Sequence, residues 1–68
     1  MNAIRQARLK KGLSQQELAA AAECSQGYLS DLENGKAFTS REFAKVLANI
    51  LNINVVDVLY PEDSGKEQ

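Results

Sequence analysis

Sixty-eight residues make one small domain, close to the lower limit at which a hydrophobic core holds a fold without staples. An apolar fraction of 44% excludes wholesale disorder, while a single cysteine and no histidine exclude a disulfide framework and leave zinc too few good ligands. The net charge of −1 excludes a uniformly basic surface: seven Lys/Arg against six Asp/Glu give residues 1–60 a charge of +1, and one against three gives the last eight −2.

β-Branched residues are sparse before position 50, and only one proline and four glycines punctuate the chain, so helices separated by short turns are expected. The first runs from about Ala3 to Lys11, with Ile4, Ala7 and Arg8 at helical spacing, and stops at Gly12. Leu9 falls off that face and is expected on the surface. Ser14 followed by Glu17 is a capping box that opens a second helix, Gln15 to Ala22, with Leu18, Ala19 and Ala22 inward. Ser25 caps a third, Gln26 to about Asn34, with Leu29 and Leu32 inward. Asn34 and Gly35 both tolerate a left-handed backbone and end it.

Cys24, in the turn between the second and third helices, is expected to be buried; the competing reading is a redox-sensing thiol beside a helix N-terminus. Thr39 or Ser40, with Glu42 behind, opens a fourth helix to Leu51 whose stripe is Phe43, Ala44, Leu47, Ala48 and Leu51. Phe38, just before it, is expected to pack over the core, the alternative being an exposed place. Asn52 stops the fourth helix, and Asn54 caps a short fifth, Val55 to Leu59, which Pro61 terminates. Residues 61–68 have nothing to bury and are read as a disordered acidic tail.

Two helices joined by the three residues Glu23 to Ser25 fit the geometry that presents a second helix to a DNA major groove. Many helical hairpins are purely structural, so spacing alone leaves both readings open. The stretches GLSQQELA (Gly12 to Ala19), SQGYLSDLENGK (Ser25 to Lys36) and LNINVVDVL (Leu51 to Leu59) resemble the phage repressor and Cro type of helix-turn-helix, the XRE family. The resemblance covers about residues 2–60. It implies an all-α, compact five-helix domain of lambda-repressor-like type over residues 1–60, binding pseudo-palindromic double-stranded DNA, usually as a dimer, to regulate transcription.

Matched position by position, the resemblance places Gln26, Gly27, Ser30 and Asp31 where the family reads bases. Each makes chemical sense: glutamine can make two hydrogen bonds to adenine, aspartate only accepts, and glycine permits close backbone approach. Gln15 matches a phosphate contact that also supports the next helix, and Tyr28, Asn34, Lys36 and Arg41 match contacts to the DNA backbone. A half-buried aromatic is the alternative for Tyr28, and plain solvated polarity for the other three. Arg8 and Glu33 match an ion pair that ties the first helix to the third. Three features depart from the pattern: Glu23 stands where glycine is preferred, Asp31 repels phosphates, and Ala37-Phe38-Thr39 replaces more basic residues. In the alternative to core packing, Phe38 lies exposed beside the DNA backbone.

Val46, Ile50, Val56 and Tyr60 lie off the core stripes of the last two helices, which predicts a two-fold symmetric homodimer. Its two recognition helices would stand about 34 Å apart, one turn of B-DNA; a wider core or scattered surface hydrophobes are the alternatives. No catalytic, cofactor or metal constellation is present in the sequence: there is no histidine, no phosphate-binding glycine loop and no room for an enclosed pocket. The apolar runs are too short to span a membrane and Met1 leads into a polar segment, so a cytoplasmic location is expected. The expected function is a sequence-specific transcriptional regulator, foremost a repressor, read as autonomous because no ligand or protease domain follows. The alternative is a protein-interaction module, an antitoxin or adaptor whose late helices hold a partner protein.

Overall fold

The computed structural model describes residues 2–60, and the acidic tail and Pro61 lie outside the described residues. Five helices follow one another: α1 (Ala3–Lys10), α2 (Gln15–Ala22), α3 (Gln26–Glu33), α4 (Arg41–Leu51) and α5 (Val55–Leu59). Four begin at a short polar residue whose side-chain oxygen accepts a backbone N–H of the first turn: Asn2, Ser14, Ser25 and Ser40. Each such cap contributes about 1 kcal/mol by satisfying a donor the helix leaves without a partner. At Ser14 the arrangement is reciprocal, since Glu17 Oε1 accepts the Ser14 N–H at 2.8 Å. Ser40, not Thr39, caps α4; Asn54 precedes α5 in extended conformation but makes no side-chain cap bond.

The helix ends share a single device. The chain enters the left-handed region at Gly12, Glu23, Gly35 and Asn52. The next residue's N–H then reaches a carbonyl five residues back: Leu13 to Arg8, Cys24 to Ala19, Lys36 to Asp31 and Ile53 to Ala48. This closure satisfies the last carbonyls and turns the chain sharply. Glycine tolerates that conformation freely, whereas Glu23 at φ 59° carries about 1 kcal/mol of strain. The turn there lacks the glycine that would relieve it. Asn34 stays on the right-handed side (φ −98°), so Gly35 alone makes the reversal after α3, and the helix stops at Glu33.

Leu18, Leu29, Ala44 and Leu47 are wholly enclosed, with Ile4 and Val58 nearly so, which brings all five helices to one core. α2 and α3 pack as a pair, α4 closes over α2, and α5 folds back between α4 and α1. Ala19 and Ala22 are buried where α2 faces the core, small enough to allow close approach. Leu9 is exposed, and Phe43 is half-buried at the edge of the core. Phe38 corrects an expectation: it does not pack over the core but is 90% exposed. Burial alternates from Ala37 to Ser40, the period of extended chain, and Ala37 takes the inward place. Cys24 is half-buried against the core, and burial pushes its thiol pKa up, away from the acidic thiolate a redox sensor needs.

Candidate nucleic-acid interface

The turn Glu23–Ser25 delivers the chain into α3 with its first residues outermost: Gln26, Gly27 and Asp31 are exposed and Ser30 is partly so. The opposite face, Leu29 and Leu32, is locked in the core. This division follows from the 3.6-residue period and leaves one polar row at the start of a short, rigid helix. A built Cβ on Gly27 would meet nothing within 4 Å. The protein's own packing therefore does not require glycine here, although glycine weakens a helix relative to alanine.

A hydrogen-bonded chain runs from the interior to this row. Arg8 and Glu33 are 7% and 6% exposed and joined by two contacts, Nε to Oε2 at 2.7 Å and Nη2 to Oε1 at 3.2 Å. The remaining guanidinium nitrogen, Nη1, donates to the Leu13 carbonyl at 2.9 Å. Gln15 Nε2 donates to Glu33 Oε1 at 3.1 Å, and Gln26 Nε2 donates to Gln15 Oε1 at 3.5 Å, the long limit for such a bond. A carboxylate only accepts, so Glu33 dictates that Gln15 turns its amide nitrogen inward and its oxygen outward. That oxygen attracts the Gln26 nitrogen and leaves the Gln26 oxygen turned away. Gln26 retains one N–H and one acceptor, the pair an adenine edge requires.

Tyr28 is half-buried, its ring 5.8 Å from that of Phe43 and tilted 47°. Its hydroxyl donates to the Phe38 carbonyl at 2.9 Å, so its proton is engaged within the protein. Of the two readings of Tyr28, this geometry favours the half-buried aromatic and makes it a strut between α3 and the loop before α4. Asn34 is exposed, with Nδ2 donating back to the Ser30 carbonyl at 2.9 Å and lying 3.4 Å from the Ser30 hydroxyl. Lys36 and Arg41 are exposed at the two ends of the same loop. Val46 is exposed on α4, Val56 in the first turn of α5 and Tyr60 just after its end, while Ile50 is half-buried against the core.

Asn2 escaped the sequence reading. It is 1% exposed, its Oδ1 caps α1 at the Arg5 N–H (3.0 Å), and its Nδ2 donates to the Leu32 carbonyl (2.9 Å). An asparagine just ahead of a helical run signals the cap; nothing local signals the second bond, 30 residues away. Together with Arg8, it fixes α1 to the far end of α3.

A family model described as Helix-turn-helix matches residues 4–58. The chain is 41% identical over 56 residues to the HTH-type transcriptional regulator DdrOP3 of Deinococcus deserti, a match covering 82% of this chain and 43% of that protein. The chain thus spans less than half the length of this relative. Among solved structures, the clp gene regulator ClgR from Corynebacterium glutamicum superposes with a TM-score of 0.75 at 40% identity, covering 85% of this chain and 62% of that one. A chain of the SinR protein/SinI protein complex gives a TM-score of 0.76 at 29% identity, covering 96% and 64% respectively.

Proposed function

The chain belongs to the helix-turn-helix family, and on that premise we propose that it is a sequence-specific, double-stranded DNA-binding transcriptional regulator. It acts as a two-fold dimer on a pseudo-palindromic operator, in the cytoplasm, and represses. The observation that carries this reading is the exposed row at the start of α3, with the Gln26 amide nitrogen 3.5 Å from the Gln15 amide oxygen. Gln26, Gly27, Ser30 and Asp31 read bases; Gln15, Asn34, Lys36 and Arg41 position the backbone, with Tyr28 supporting the loop. DdrOP3 and ClgR, both described as regulators, support it.

Selection of binding sites from a random duplex library tests the proposal. The expected product is a repeated half-site, with repeats one helical turn apart. About six phosphate contacts per dimer give a slope of log affinity against log salt near −5. A flat response between low and moderate salt, or no enriched sequence, would overturn it.

A second reading is a protein-interaction module, and one observation favours it: a structural relative was solved as a SinR protein/SinI protein complex. In this reading the exposed Val46, Val56 and Tyr60 hold a different protein. Co-purification with an unrelated partner, together with no operator protection, distinguishes it.

A further inference from the structure

Phe38 is 90% exposed, the most exposed large hydrophobic side chain among the described residues. It does not hang on a free loop. Its carbonyl accepts the Tyr28 hydroxyl at 2.9 Å, its neighbour Ala37 is seated against the core, and Ser40, two residues on, caps α4. Upstream, the Lys36 N–H is fixed to the Asp31 carbonyl at 2.8 Å. The backbone is thus held on both sides while the ring is presented to solvent. Tyr28 belongs to α3, so the strut ties Phe38 to the recognition helix itself. Exposed cations flank it in sequence, Lys36 before and Arg41 after.

We infer that Phe38 is a DNA contact: its ring packs against the apolar deoxyribose edges of the strand whose phosphates Lys36 and Arg41 hold. The inference rests on the DNA-binding reading above. Two cations with an aromatic between them in sequence match a polyanion whose sugars offer the apolar surface between phosphates. Such a contact carries little sequence information and adds affinity without counterion release. It offsets the weak net charge of the domain and the repulsion from Asp31.

The chain contains no tryptophan, so F38W carries a unique fluorophore. The probe is the duplex pool that the wild-type protein retains from a random library. Emission of F38W is expected to shift on adding this pool. F38A is expected to bind it about tenfold more weakly, with unchanged thermal stability and an unchanged salt slope. K36A, in contrast, should reduce the salt slope by about one. Wild-type binding with silent F38W emission and F38A affinity within twofold of wild type would overturn this inference alone. Emission that changes with protein concentration in the absence of DNA would assign the ring to a second copy and also overturn it. A wild-type protein that retains no duplex removes both this inference and the reading beneath it.

Discussion

Gln15 and Glu33 are joined across α2 and α3 by a 3.1 Å hydrogen bond, and this contact connects the buried ion pair to the exposed helix face. Glu33 therefore has two tasks, neutralising Arg8 and orienting Gln15. Replacing Glu33 with alanine leaves the enclosed guanidinium without a counterion, a loss of about 3–5 kcal/mol. In a domain this small that is most of the stability, so E33A is expected to be largely unfolded by circular dichroism at 25 °C. An R8M/E33L double variant removes both charges and should fold better than either single variant. Gln15→Ala removes the bond to Glu33 and the long contact from Gln26, costing about 1 kcal/mol in stability. Its signature is a near-normal melt with weakened operator binding. A fully stable E33A would show the pair to be dispensable.

Gly27 yields a prediction of opposite signs. Gly27→Ala meets open space and improves helix propensity, so stability should rise by up to about 1 kcal/mol. Against DNA the added methyl occupies the gap through which the helix backbone approaches the bases, and affinity should fall at least severalfold. Thermal melts and a binding titration on one preparation read both effects. A G27A protein that is stabilised and binds normally would remove Gly27 from the interface.

The dimer prediction needs residues that the core does not use. Ile50 is packed partly inward, so a charge there confounds folding with association. Val46 and Val56 are exposed. The variant V46K/V56K is expected to keep the parent's helical circular dichroism, melt independently of protein concentration, sediment as a monomer, and lose its preference for a paired site over a half-site. Retention of a dimer in sedimentation equilibrium would sink the assignment of this face.

Cys24 gives the pH dependence. Burial raises its pKa, so at pH 8 the native thiol is less ionised than in the unfolded chain. Iodoacetamide should modify it severalfold more slowly in native buffer than in denaturant. The associated stability is complete below the ordinary thiol value of 9.0 and is lost as pH climbs through the raised native value. Equal alkylation rates in the two conditions would contradict this.

The helix starts were legible because their chemistry is local: a serine three residues ahead of the N–H it accepts defines α2, α3 and α4 wherever the following residues are apolar at helical spacing. The enclosed leucines of α2, α3 and α4 followed from the same period. What escaped depends on tertiary direction. Phe38 reads as core by its hydrophobicity, yet its outward place is set by Ala37 seating one position earlier and by a tyrosine ten residues back. Asn2 escaped too, and even its cap signal says nothing of the half of its hydrogen bonding that is spent on α3. The residues of the candidate interface came from a resemblance, whereas the amide orientation linking Gln15 to Gln26 could be seen only once Glu33 was placed in space.

The Asn2 bond to the Leu32 carbonyl makes the head of α1 a mechanical anchor for the tail of α3. Force or a rigid fusion applied ahead of α1 would be transmitted through that amide and the Arg8–Glu33 pair to the C-terminal end of α3, without passing through the intervening turns. A tether designed to tug on this point would therefore load α3 from the end remote from its exposed polar row.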